Sequence, residues 1–96
     1  MIRQGIINRL IGLQEEFFDL CESWGIPEIR TSERSLNILV NSRGYKKLNP
    51  STQQVTYSVC TLISHYLTEA TESKKPPTDE QIQKVKQQLE SLKPYQ

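Results

Sequence analysis

Residues 41 to 52, NSRGYKKLNPST, set Arg43, Lys46 and Lys47 around one aromatic ring, Tyr45, and one glycine, Gly44. A guanidinium grips a phosphate through paired N–H bonds and an ammonium acts as a point charge, so these residue types suit a phosphate backbone. The spacing adds to this. In a helix that runs through Gly44, positions 43, 46 and 47 stand at i, i+3 and i+4 and share one face. Tyr45, with Tyr57 or Tyr95, offers a surface on which an unpaired base can stack. Ser42, Asn49, Ser51 and Thr52 are further phosphate-capable donors, as are the first N–H groups of a helix starting near Pro50. The plain alternative is a solvated turn in which Arg43 pairs with Glu15 or Glu16, an exposed contact worth about 0–1 kcal/mol.

Other chemistry is sparse. His65 is the single histidine. Cys60 precedes it by five residues, about 140° around a helix, so no thiol faces an imidazole to be activated by it. Glu15, Asp19 and Glu22 form an acidic stripe, but the Glu-x-x-His motif by which helical bundles hold paired metals is absent. The chain has no glycine-rich phosphate loop, zinc spacing or RNP motif. The expectation is a protein that is not an enzyme and carries no metal or other cofactor. Cys21 and Cys60 lack CxxC spacing and fall in apolar patterns, which predicts free, buried thiols and a cytoplasmic protein.

These residues must be positioned by helices. Ile2, Ile6, Leu10, Leu13, Phe17, Leu20 and Trp24 step by threes and fours, predicting a first helix over about 2–24. Gly25 and Pro27 stop it, with Ile26 folding back on the turn at Cys21. Thr31 or Ser32 can cap a second helix over about 32–48, with Leu36, Leu39 and Val40 on its apolar face. Gly44 either ends that helix or marks a close packing contact within it. Asn49-Pro50 opens a third helix over about 50–72. The stretch VTYSVCTLI also alternates like a strand, but helical spacing accounts for apolar positions out to Ala70. Thr78 and Gln81 form a capping box for a fourth helix over about 79–93, whose seam is Ile82, Val85, Leu89 and Leu92. Residues 1–96 therefore read as one all-α domain, a small antiparallel bundle of four helices with a three-helix core and a C-terminal helix. No run is long and apolar enough to span a bilayer, and the first residues do not resemble a signal peptide.

The net charge of +1 conceals a segregation. Residues 1–14 hold Arg3 and Arg9 and no acid, and 34–68 hold Arg34, Arg43, Lys46 and Lys47 and no acid. Ten of the eleven carboxylates fall within 15–33 and 69–80. In an up-down bundle of successive antiparallel helices, this gathers Arg3, Arg9, Arg43, Lys46, Lys47 and Lys93 at one end, opposite an acidic end. A cationic end attracts polyanions even at near-zero net charge.

Fold class and charge together suggest a non-catalytic accessory subunit of a larger assembly, contacting an RNA or single-stranded DNA backbone through Arg43, Lys46, Lys47, Tyr45, Arg9 and Arg3. Small helical subunits of CRISPR effector complexes offer a precedent of size and fold, with no motif shared. Opposed end charges would also suit head-to-tail stacking of copies. The competing class is a protein–protein adaptor without nucleic acid, docking through Ile82, Val85, Leu89 and Leu92 or through Glu15, Asp19 and Glu22. A helix-turn-helix, with Gln53, Gln54 and Ser58 reading base edges, is a weaker variant because Pro50 interrupts the connection.

Overall fold

The computed structural model describes residues 2–26, 29, 35–72 and 75–95; the side chains of Ile2, Arg3, Ser35 and Tyr95 fall outside that set. The helices are α1 (Ile2–Ser23), α2 (Ser35–Asn41), α3 (Arg43–Lys46), α4 (Pro50–Glu72) and α5 (Asp79–Leu92), followed by a 3-10 turn, Lys93–Tyr95. The all-α expectation holds, with no strand among the described residues. VTYSVCTLI is helical: Val59, Cys60, Ile63 and Ala70 on one face of α4 are all buried. No described helix is long and apolar enough to cross a membrane.

The end signals operate through their hydrogen bonds. Gly25 takes φ 85°, the left-handed conformation that favours glycine. Its N–H donates to the Glu22 carbonyl and that of Ile26 to the Cys21 carbonyl, both at 3.0 Å, which is the Schellman pattern. Asn49 Oδ1 accepts the Thr52 N–H at 2.9 Å, and Pro50 occupies the first position of α4, where no N–H is needed. At α5 the capping box is complete: Thr78 Oγ1 accepts from Gln81 N at 3.1 Å, and Gln81 Oε1 accepts from Thr78 N at 2.9 Å. The expected caps at Thr31 or Ser32 lie outside the described residues.

One apolar cluster joins the elements. Leu10, Leu13, Phe17, Leu20 and Cys21 of α1 meet Val59, Cys60 and Ile63 of α4, Leu39 of α2, and Ile26 and Ile29 of the connection. The α5 seam closes this cluster, since Ile82, Val85, Leu89 and Leu92 are each 0–2% exposed. Those four side chains are committed to the chain's own core, and a docking role for them is corrected accordingly. Both cysteines are free and buried.

The expected helix over 32–48 is not continuous. It breaks at Ser42, whose extended backbone (φ −80°, ψ 151°) ends α2 and begins α3. The break changes the topology. At 1.5 Å per residue α1 and α4 run about 33 and 35 Å, whereas the seven residues of α2 cover about 10 Å. Those seven described residues do not traverse the bundle. Gly44 packs against the Trp24 carbonyl and Ile26, placing α3 at the C-terminal end of α1. Arg9 bonds Asp79 at 2.6 Å, Lys93 bonds Glu16 at 3.1 Å, and Ser58 bonds Gln88 at 3.3 Å. Hence α1 and α5 run parallel, and α4 runs antiparallel to both. The turn after α4 therefore joins the N-terminus of α1, and the α2–α3 segment joins its C-terminus, the reverse of the up-down expectation.

Candidate nucleic-acid interface

The cationic row forms because α3 is a separate turn of helix. Ser42 Oγ accepts the Tyr45 N–H at 3.2 Å and donates to the Leu39 carbonyl at 2.7 Å, so one hydroxyl serves both helix ends. Lys46 N then donates to the Ser42 carbonyl at 3.2 Å and Lys47 N to that of Arg43 at 3.1 Å. These i→i−4 bonds carry helical geometry through Lys47, which has φ −80° and ψ −15°. Positions 43, 46 and 47 therefore do share a face. The reason lies in the fresh start at Ser42, and not in continuation of the preceding helix through Gly44. All three side chains are exposed, and among the described residues none has a carboxylate within ion-pair distance.

Gly44 is the close packing contact. A Cβ there would press into the Trp24 carbonyl oxygen and stand 3.0 Å from Ile26 Cγ1. Opposite the cations, Tyr45 turns toward α4, where its hydroxyl donates to the Gln53 carbonyl at 3.2 Å. Gln53 returns the bond: its Nε2 lies 3.2 Å from the Tyr45 carbonyl, 3.0 Å from that of Leu48 and 3.4 Å from that of Lys46. The Tyr45 carbonyl also accepts the Leu48 N–H at 3.0 Å, and the Gln53 amide adds a donor at the C-terminal end of α3, where a helix runs out of its own. A helix-turn-helix would have Gln53 reading base edges; its carboxamide instead braces α3. Burial, and then the nearby Tyr57 phenol, push the Tyr45 hydroxyl above its ordinary pKa of 10.0. Beside this brace Tyr45, Pro50, Gln53, Gln54 and Tyr57 line an open groove of about 280 Å³.

The remaining residues of the expected basic end are elsewhere. Arg9 is tied to Asp79 at the opposite end of α1 from α3. Arg3 lies in the first turn of α1, at that same far end. Lys93 is shared between Glu16 and Glu90, each at 3.1 Å, and its pKa is raised, first by the hydrogen bond to Glu16. Glu15, Asp19 and Glu22 sit on the half of α1 that leads toward α3, and each already has an interaction within the chain. The two ends are thus not sorted by sign, and the charge polarity that would favour head-to-tail stacking is lost with the up-down topology. Ser42 already donates its hydroxyl to the Leu39 carbonyl and Thr52 is buried, which removes both as phosphate donors, whereas Asn49 caps α4 through Oδ1 alone and keeps its amide hydrogens. With α2 and α3 this short, Gln53 engaged and Ser58 bonded to Gln88, the helix-turn-helix variant also falls.

Elsewhere, His65 bonds Glu69 at 3.1 Å on the exposed side of α4, while Cys60 is buried. Burial, with Cys60 and Glu22 nearby, pushes the Cys21 thiol up to about 12. No group of three or more metal-ligating side chains converges among the described residues. Comparison of the chain with protein-family models, curated proteins and solved structures finds no match.

Proposed function

We propose that the chain is a non-catalytic subunit that contacts a nucleic-acid backbone through Arg43, Lys46 and Lys47. The observation that carries this reading is three exposed cations on one face of α3, with no carboxylate partner among the described residues. On a helix surface, i, i+3 and i+4 side chains lie about 5–6 Å apart at Cβ, close enough to engage neighbouring phosphates together. The Gln53 brace and the Gly44 contact hold that face in place before any ligand arrives. Three phosphate contacts supply only part of the affinity of a protein that makes six to ten of them. A patch of this size suits a subunit of a larger assembly whose other members add contacts.

Titration of a labelled single-stranded oligonucleotide, followed by fluorescence anisotropy across a salt series, tests the proposal. Each phosphate contact contributes roughly 0.7 to the slope of log K against log salt for single strands. Replacing Arg43, Lys46 and Lys47 together by Ala should therefore lower the slope by about two. Lys84→Ala, on an exposed position of α5, should leave it unchanged. Absence of binding to any RNA or DNA near ~50 mM salt, where such contacts are strongest, overturns the proposal.

A further inference from the structure

The groove beside α3 has a composition that backbone neutralisation does not call for. Pro50, Gln54 and Tyr57 step by four and three along the outer face of α4, and all three are exposed. Tyr57 is 46% exposed, one of the few large apolar side chains left in water. Among the described residues, neither its hydroxyl nor the Gln54 carboxamide has a hydrogen-bond partner. Tyr45 and Gln53 close the inner wall, and their polar groups are already paired with each other's backbone. The result is an aromatic and a proline face with one unspent amide between them. Lys46 follows Tyr45 directly in the chain, and its backbone carbonyl lies 3.4 Å from Gln53 Nε2 of the groove wall.

We infer that this groove takes one unpaired nucleobase, stacked on Tyr57, with its edge facing the Gln54 amide and its phosphate on Lys46. The inference rests on the backbone reading above and deepens it to single-stranded nucleic acid. A base held in a duplex is stacked on its neighbours and cannot enter, so strands with free bases are selected over duplex. Stacking tolerates any base, because each has a π-face, and the amide can both donate and accept. The groove therefore gives strand selectivity with little sequence preference.

The test compares three labelled probes of equal phosphate number: oligothymidylate, the same strand without bases, and the thymidylate–adenylate duplex. The wild-type chain should bind oligothymidylate roughly 5- to 150-fold more tightly than the abasic strand, the range expected for one base stacked on an aromatic ring. Tyr57→Ala should remove that preference while leaving the salt slope intact, and Tyr57→Phe should retain it. Equal binding of base-bearing and abasic strands, with Lys46→Ala weakening both, overturns the groove and leaves the backbone contact standing. No binding of any probe overturns both. Tyr57 is exposed, so its truncation should leave the helical content seen by circular dichroism unchanged.

Discussion

Replacing Gly44 by Ala tests the placement of the cationic row, because two physical effects oppose each other there. In a helix, Ala is favoured over Gly by about 1 kcal/mol. At position 44 the added methyl would press into the Trp24 carbonyl oxygen and reach 3.0 Å from Ile26 Cγ1. Neither neighbour gives way easily. Trp24, Gly25 and Ile26 form the hydrogen-bonded end of α1, with N–H bonds to Cys21 and Glu22 at 3.0 Å, and Ile26 is fully buried. Overpacking of this kind costs about 1–3 kcal/mol and should outweigh the gain in helix propensity. With both neighbours fixed the cost falls in the upper part of that range, so the expected net loss is about 1–2 kcal/mol, at roughly 4–8 °C in Tm per kcal/mol for a chain of this size. Gly12→Ala is the matched control: it is also helical, and its Cβ would meet nothing within 4 Å. That variant should gain about 0.5–1 kcal/mol. Urea titrations of the two variants should therefore move in opposite directions from the wild type. If Gly44→Ala stabilises as Gly12→Ala does, α3 does not rest on the end of α1, and the cations belong to a different part of the bundle.

Three further outcomes follow from the packing. Leu89→Ala should cost about 2–5 kcal/mol in the urea midpoint, as a core truncation does, because Leu89 is 0% exposed; Leu89→Asp should not fold at neutral pH. Thr78→Ala removes the acceptor of the α5 capping box and should lower stability by about 0.5–2 kcal/mol, without changing the buried core. The Cys21 thiol, held protonated to about 12 in the fold against 9.0 in the unfolded chain, should make stability fall with alkalinity. Below pH 9 both states keep the proton and this group adds no pH dependence. Between 9 and about 12 only the unfolded chain releases it, so stability should drop by up to about 1.4 kcal/mol per pH unit. Urea midpoints measured through that range should show a shallower decline for Cys21→Ala.

Local chemistry was legible wherever the cause was local. The Gly25 stop, the Asn49-Pro50 start and the Thr78/Gln81 box each depend on residues within a few positions of one another, and all three operate as their types imply. The α5 seam was equally legible as apolar, but apolarity does not name the surface that covers it; that surface is the rest of the core. Ser42 carried a readable signal, a capping residue after Asn41, which the phosphate-donor reading passed over. Gln53 carried none. Its role as a brace exists only because α3 ends beside the first turn of α4.

The amino-acid sequence by itself determined an all-α chain, its main helix ends, its apolar faces and the i, i+3, i+4 spacing of Arg43, Lys46 and Lys47. Those features follow from backbone sterics and helical periodicity, which act over one or two turns. The tertiary structure decided which end of the bundle each charge occupies. One broken helix, interrupted at Ser42 within the expected span 32–48, reversed the direction in which the ends are joined. That reversal paired Arg9 with Asp79 and Lys93 with Glu16, and left the short α3 row exposed without an acid among the described residues. Charge partners are set by where helices meet, and the break at Ser42 with the Gly44 contact is what fixes that meeting.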